Sequence, residues 1–318
     1  MHQFRHLLLT AILGSLCLVA LPALGEPYSN VASVLELGMG ARPLAMGGAF
    51  VGLADDGNSL SFNPAGLAGA QGLSVLSSGE VRPGMGVFGQ VAVALPRLGL
   101  GLHYFDFGDV PQIDEVGNVT GYLSYRTYTL IAGAGIRGTD LGFRNVPLLR
   151  DLGVGIKAKY LMVATLEPGS GSGLAVDLSL LYGGPNTGLR MGFLTGFGLG
   201  FVVENIFGVP IKYGSGHVEY WPQAVVIGTS ATFLGSWTVV ADLVLGKGVR
   251  LGAEWRPVPA IAVRAGLRNE GVVMWSLGLG VRYGMFALDY AFVGHPYLAG
   301  QHRLSLEVAL GRIGPRTR

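Results

Sequence analysis

The residues able to do chemistry are few and poorly grouped. Gly133-Ala134-Gly135-Ile136-Arg137-Gly138 has the G-x-G-x-x-G spacing of a dinucleotide-binding turn. That spacing works only between a strand and a helix N-terminus, where backbone N–H groups cradle a pyrophosphate, and here it closes a run of strand-like alternation. His103, His217, His295 and His302 share no metal-ligand spacing, so positions in loops or inside the fold are expected of them. Asp55-Asp56 has the charge to hold a cation, but it stands where a carboxylate would cap a short helix running toward Phe62, which Pro64 would end. No Ser-His-acid set stands out. The expectation is a protein without catalysis, cofactor or metal. With 22 Lys and Arg against 20 Asp and Glu, nothing points to nucleic acid as a partner.

The elements that must position any site are legible in the alternation. Val249, Leu251, Ala253 and Trp255 share one parity while Arg250, Gly252 and Glu254 hold the other, and the pattern returns in Ile261–Leu267, Trp275–Val281 and Leu304–Leu310. A soluble sandwich also alternates, so composition has to decide. Charged residues make up 13% of the chain, about half the usual ~25%, and hydrophobic residues 50%, which is too little charge to cover a soluble surface. Beyond the first 25 residues no uninterrupted apolar run reaches the ~20 residues a membrane helix needs. Trp221–Ala241 comes nearest, but Pro222, Gly228 and Gly235-Ser236 break it into two strands around a turn. An all-β transmembrane barrel, in which strand-to-strand pairing satisfies every backbone group, remains.

Residues 1–25 read as a cleaved signal peptide for export through the Sec pathway: Arg5, the apolar run Leu7–Leu21, then Ala23-Leu24-Gly25 before Glu26. Cys17 falls inside it, so no thiol remains in the mature chain. Strands are expected near 72–81, 86–95, 98–107, 122–136, 152–166, 173–182, 194–205, 221–233, 237–245, 249–256, 260–268, 272–283, 285–293 and 302–311, about fourteen in all. They form a barrel over 72–311 with a short tail at 312–318. With both ends periplasmic, the short connections at Pro96-Arg97, Leu234-Gly235, Pro257–Pro259 and Gly284 fall on one side. The longer ones at Gly108–Gly121, Glu167–Ser172, Ile206–Glu219 and Gly294–Gln301 fall on the other, and Arg137–Asp151 breaks the rule. Tyr182, Trp237, Trp255, Tyr283 and Phe286 beside the short turns suit an interfacial girdle.

Lys157, Lys159, Asp177, Asp242, Arg250, Glu254, Arg264, Arg268, Arg282, Asp289, Arg303 and Glu307 take the inward parity. In lipid an Arg or Lys at mid-depth would cost roughly 2 to 4 kcal/mol, so the lumen is their home. Two roles stay open for them: ion pairs that tie a plug to the wall, or guidance of a ligand's polar head. Gly99, Gly101, Gly198, Gly200, Gly228, Gly252, Gly266, Gly278 and Gly280 lie on the same parity, which leaves room for another backbone. Residues 26–71, which lack strand alternation, are the expected filler, a glycine-jointed plug.

The run GARPLAMGGAFVGLADDGNSLSFNPAGLA, residues 40–68, resembles the N-terminal hatch of the PorV/PorQ-like branch of the long-chain fatty acid transporter (FadL) superfamily. Weaker matches follow in order, among them Gly153–Lys157, Ala175–Asp177, Glu204-Asn205, Leu251–Glu254, Leu288–Ala291 and His302–Leu306. The resemblance implies a fourteen-stranded outer-membrane barrel of a diderm bacterium, plugged by a hatch whose motif residues are Gly47, Gly48, Asp55, Asp56, Asn63, Pro64 and Ala65. Such barrels commonly end on an aromatic residue read by the barrel assembly machinery, an expected partner, whereas this sequence continues past Leu310 into Gly311–Arg318.

Three functions follow as expectations. The first is passive binding and transport of hydrophobic or amphipathic small molecules across the outer membrane, with lipid and such a ligand as partners. The second, carried by the resemblance, is a PorV-like shuttle or docking component of type IX secretion, with an exported protein as partner. A lipid hydrolase, the third, lacks its catalytic residues.

Overall fold

The computed structural model describes residues 40–82, 86–165, 169–184 and 192–310. The expected signal peptide at 1–25, residues 26–39 of the expected plug segment and the tail at 312–318 lie outside the described residues.

The alternation becomes fifteen strands: β1 (Leu73–Arg82), β2 (Gly86–Leu95), β3 (Leu98–Ile113), β4 (Val119–Arg137), β5 (Leu152–Ala164), β6 (Gly171–Gly184), β7 (Leu194–Tyr213), β8 (Val218–Glu219), β9 (Ala224–Phe233), β10 (Trp237–Val244), β11 (Gly248–Val258), β12 (Ile261–Asn269), β13 (Val273–Tyr283), β14 (Phe286–Gly294) and β15 (Gln301–Leu310). β8 pairs only with the end of β7. The other fourteen pair antiparallel around a closed wall, which is completed by β1 with β15 and β6 with β7. Closure leaves no strand edge, so backbone groups need no water.

Register sends one parity into the bore: Arg250 stands opposite Arg268, Glu254 opposite Arg264, and Gly280 opposite Asp289. The other parity is a continuous apolar exterior, with Leu277, Leu279 and Val281 52%, 56% and 52% exposed. A surface of that extent is stable against lipid and not against water. Trp237 and Trp255 stack with ring centroids 5.4 Å apart beside the β9–β10 and β11–β12 turns, and Tyr283 and Phe286 are exposed beside the β13–β14 turn.

Two expected loops are mostly strand. β3 and β4 stay paired as far as Ile113 and Val119, so 108–121 is a raised ribbon closed by the turn 114–118, where Asp114 accepts hydrogen bonds from the N–H groups of Val116 and Asn118. Gly108, with φ of +82°, makes a bulge there and does not end the strand. β7 likewise continues beyond Ile206 to Tyr213 past a bulge at Asn205, φ +56°, where the β6 register shifts between Val176 and Leu178. A left-handed residue in the sequence looks like a loop start, but a bulge absorbs it. The connection 138–151 contains a short helix, Pro147–Arg150, and is held to the neighbouring turn by Arg97 and Asp140, 2.6 Å apart. Hydrogen bonds from the Arg97 side chain and from the Arg137 N–H hold the Asp140 carboxyl down at about 2.

Residues 40–71 lie inside this wall. Gly40 precedes helix α1 (Ala41–Ala45), whose Pro43 sits in the first turn where its missing N–H costs nothing. Gly47 and Gly48, φ +67° and +80°, turn the chain away from α1. Helix α2 (Ser59–Phe62) ends at Asn63, and Pro64 opens a 3₁₀ helix, Pro64–Gly69. The inward glycines receive this backbone: a methyl at Gly252 would stand 2.5 Å from the Met46 carbonyl oxygen, and one at Gly228 2.5 Å from the Gly52 nitrogen. Within the G-x-G-x-x-G run, Gly135 serves the same end, facing the Pro64 carbonyl.

A Gly252→Leu barrel is expected to form but to seat its inner segment poorly, because overpacking costs roughly 1–3 kcal/mol. Chymotrypsin should then cut after Phe50, which is fully buried in the native protein, faster than it does there, while the barrel keeps its heat-dependent shift in gel mobility. Gly89→Leu, at a position with nothing within 4 Å, should change neither. Equal protection in both variants would contradict the close fit.

Candidate functional site

The inner segment is stitched to one side of the bore by charge. Arg42, 2% exposed, places Nη1 2.6 Å from Asp55 and 2.5 Å from Asp56, and its Nε 3.0 Å from Glu254 on β11. Glu254 also takes Arg256 at 2.8 Å and Arg264 at 2.7 Å, and Arg264 reaches Asp289 at 2.7 Å. The expected helix cap at Asp55 or Asp56 is therefore corrected. α2 starts at Asn58 with no side-chain cap, and both carboxylates are turned to the guanidinium, whose charge-assisted bonds are stronger than a neutral cap. Asp56 keeps two local bonds, from the N–H and the side-chain amide of Asn58.

Further bonds continue along the same side. Asp242 accepts the N–H groups of Phe50 and Val51 at 2.8 and 3.0 Å, Ser276 Oγ that of Gly47, Ser305 Oγ that of Ala41, and Glu307 that of Gly57. Across the bore, Asn63 donates to the Val51 and Leu180 carbonyls and accepts from Ala65 N–H, which Ser179 Oγ also approaches. Of the motif residues, Gly47, Gly48, Asp55, Asp56, Asn63, Pro64 and Ala65 all lie at these junctions. Arg42, the residue that joins them, was overlooked in the sequence; its signal is a lone cation inside a glycine-rich apolar stretch.

The remaining inward charges fall into separate groups. Lys157 and Lys159 bracket Asp177 at 2.9 and 2.8 Å, and Lys157 also donates to the Ser61 carbonyl. Arg303 binds Glu80 at 2.6 Å with its guanidinium over the Phe88 ring. Arg250 and Arg268 both bind Glu270 in the turn between β12 and β13. Burial pushes the Glu270 carboxyl up, but the two guanidiniums outweigh it and hold it down at about 2. Arg282 is half-buried near the lower end of β13. Among the described residues no cluster of His, Cys, Asp and Glu is arranged to hold a metal.

Toward β1–β4 the contact is apolar: Leu60 and Leu67 pack on Leu76, Ala92, Ala94 and Ile131. Next to it lies a cavity of about 80 Å³. One part of its lining is apolar, with Val51, Phe62, Ile131, Trp221 and Val226; the other is polar, with His103, Lys157, Lys159, Glu204, Asn205 and Arg250. Lys247, in the turn after β10, and Trp221 and Pro222, just before β9, carry it to the rim away from the lower turns. Small-molecule sites run from roughly 300 to 1,000 Å³, so a ligand of that size needs the inner segment to move.

No family model and no curated protein matches the sequence. Solved structures do. The chain superposes on the CymD monoaromatic hydrocarbon channel with a TM-score of 0.57 at 14% identity, covering 87% of this chain and 98% of that one. The toluene transporter TbuX of Ralstonia pickettii gives 0.55 at 13%, covering 86% and 98%, and a Pseudomonas aeruginosa FadL homologue 0.51 at 10%, covering 90% and 99%. The chain thus shares the barrel fold of these three proteins.

Two outcomes are expected. Arg42→Ala leaves Asp55, Asp56 and Glu254 short of a buried partner and should lower unfolding stability by about 3–5 kcal/mol, whereas Arg97→Ala, on a solvent-screened pair, should leave the melting temperature nearly unchanged. Thermal denaturation of both variants in one detergent checks the contrast. Because Glu270 is depressed, its contribution is complete above the ordinary carboxyl value of 4.5 and is lost as the pH falls toward 2. The melting difference between native protein and Glu270→Gln should accordingly shrink over that interval.

Proposed function

We propose that this chain is a passive channel of the outer membrane of a diderm bacterium that carries hydrophobic or amphipathic small molecules, with residues 26–71 acting as its movable hatch. The observation that carries this reading is the closed apolar-faced wall whose bore is filled by the chain's own segment, leaving a cavity of mixed character open toward one rim. Several solved barrels of this shape are described as hydrocarbon channels or toluene transporters, which supports the same cargo class here. The short turns and the girdle around Trp237 and Trp255 would face the periplasm after Sec export and removal of residues 1–25, and the raised β3–β4 ribbon would face outward.

A second reading is a PorV-like shuttle that docks an exported protein. Two observations favour it: the hatch run at 40–68 resembles that branch, and the raised ribbon exposes Ile113, Val116 and Tyr122 at 63%, 84% and 62%. A hydrophobic surface above the rim suits a protein partner.

Proteoliposomes separate the two. The intact protein is expected to admit labelled toluene or octane faster than empty vesicles, and a variant lacking residues 26–71, checked for heat-dependent gel mobility, should also leak small hydrophilic solutes. If neither form admits hydrophobic or small polar solutes, the channel reading fails and the docking one gains.

A further inference from the structure

Four adjacent strands carry, at one level of the inner wall, side chains that bond to nothing. Ser78 stands opposite Gln90, Gln90 opposite His103, and His103 opposite Thr129, one row across β1–β4. They are 5%, 4%, 3% and 1% exposed. Ser78 Oγ, both amide atoms of Gln90, both ring nitrogens of His103 and Thr129 Oγ1 have no hydrogen-bond partner among the described residues. Each buried group left so has lost its bonds to water and gained none in return, and four together need a reason. One step lower the wall does what a dry wall should, with Leu76, Ala92 and Ile131 against Leu60 and Leu67.

The charges near the row are already committed. Lys157 and Lys159 share Asp177, and Arg303 holds Glu80. The groups in need are instead an amide, an imidazole and two hydroxyls, each neutral and each able to donate and accept. His103 also lines the cavity together with Ile131 and Phe62, so a molecule lying on those apolar groups reaches the row with its polar end. Here α2 meets the wall through the apolar side chain of Leu60, while the ion pairs between the inner segment and the wall are made at Glu254 on the far side.

We infer that Ser78, Gln90, His103 and Thr129 form a recognition surface for an uncharged hydrogen-bonding group, an alcohol, amide or carbonyl, carried on an otherwise apolar molecule. This rests on the channel reading and narrows its cargo. A carboxylate has to compete with Asp177 and Glu80 for the nearby cations, and a plain hydrocarbon leaves the row unpaired.

The test is equilibrium binding of radiolabelled 1-octanol, octanoate and n-octane to the full-length mature protein in lipid nanodiscs, corrected for partition into empty nanodiscs. 1-Octanol should bind about tenfold tighter than n-octane, as one or two net hydrogen bonds imply, and octanoate no tighter than n-octane. Gln90→Leu with His103→Phe should erase the advantage of 1-octanol over n-octane measured on the same variant. Thr129→Val, which keeps shape and fold, should erase part of it, roughly threefold for one weaker bond. An octanol advantage that survives these substitutions, or a preference for octanoate, overturns the assignment. If n-octane binds and enters proteoliposomes while octanol gains nothing, the row's role falls and the channel stands; if none of the three binds above background, the channel reading falls with it.

Discussion

The arrangement depends on one buried guanidinium. Arg42 is a cation through which Asp55 and Asp56 of the inner segment meet Glu254 of the wall. Desolvating so many charges is expensive, and a buried ion pair often does no better than an apolar replacement of the same volume. Its value lies in specification: three carboxylates and the fixed fork of Arg42 and Arg264 admit few alternative seatings, whereas an apolar contact of the same area would slide. The clasp therefore decides where the segment sits, and burial of Met46, Phe50, Leu53 and Leu60 supplies the contact area once it is there.

The seating is asymmetric. Over β10–β15 the segment is held by ion pairs and by carboxylates and hydroxyls that accept its backbone N–H groups. Over β1–β4 it rests chiefly on the Leu60 and Leu67 side chains. Apolar contacts are non-directional and part without leaving charges bare, while breaking the far side would strand several buried charges. Any motion that opens the bore with the wall intact therefore has its least resisted course along β1–β4, where the cavity also lies.

Much of this was legible in the sequence because a barrel wall obeys a period of two, and lumen and lipid impose opposite chemistry on alternate residues. Arg250, Glu254, Arg264 and Arg303 declared their face, and Gly198, Gly228, Gly252 and Gly266 announced a second backbone before its path was known. Partners were not legible. Nothing local in Asp55-Asp56 says that it binds a residue thirteen or fourteen positions earlier, since the pairing is made by a turn at Gly47 and Gly48. The extended β3, β4 and β7 were missed for a related reason, because Gly108 and Asn205 look like loop starts unless the neighbouring strand is seen to take up the bulge. His103 was set aside as a lone histidine; only cross-strand register puts it beside Gln90 and Thr129.

Strand number makes the inner segment part of the fold. About eight strands enclose a space that wall side chains can fill by themselves, and larger barrels leave a channel or need a plug. Fourteen strands leave a wider bore, and this wall, with glycine at so many inward positions, is less able than most to fill it. Water is the alternative filler, and it would hydrate Arg42, Glu254 and Arg264 well, but it would leave Met46, Phe50 and Leu60 without burial. The sequence of the wall and that of residues 40–71 thus each make sense only in the other's presence, glycine facing backbone and carboxylate facing Arg42. A barrel so constructed fills its bore with its own chain, and any opening in it is set by where that segment sits and not by the width of the wall.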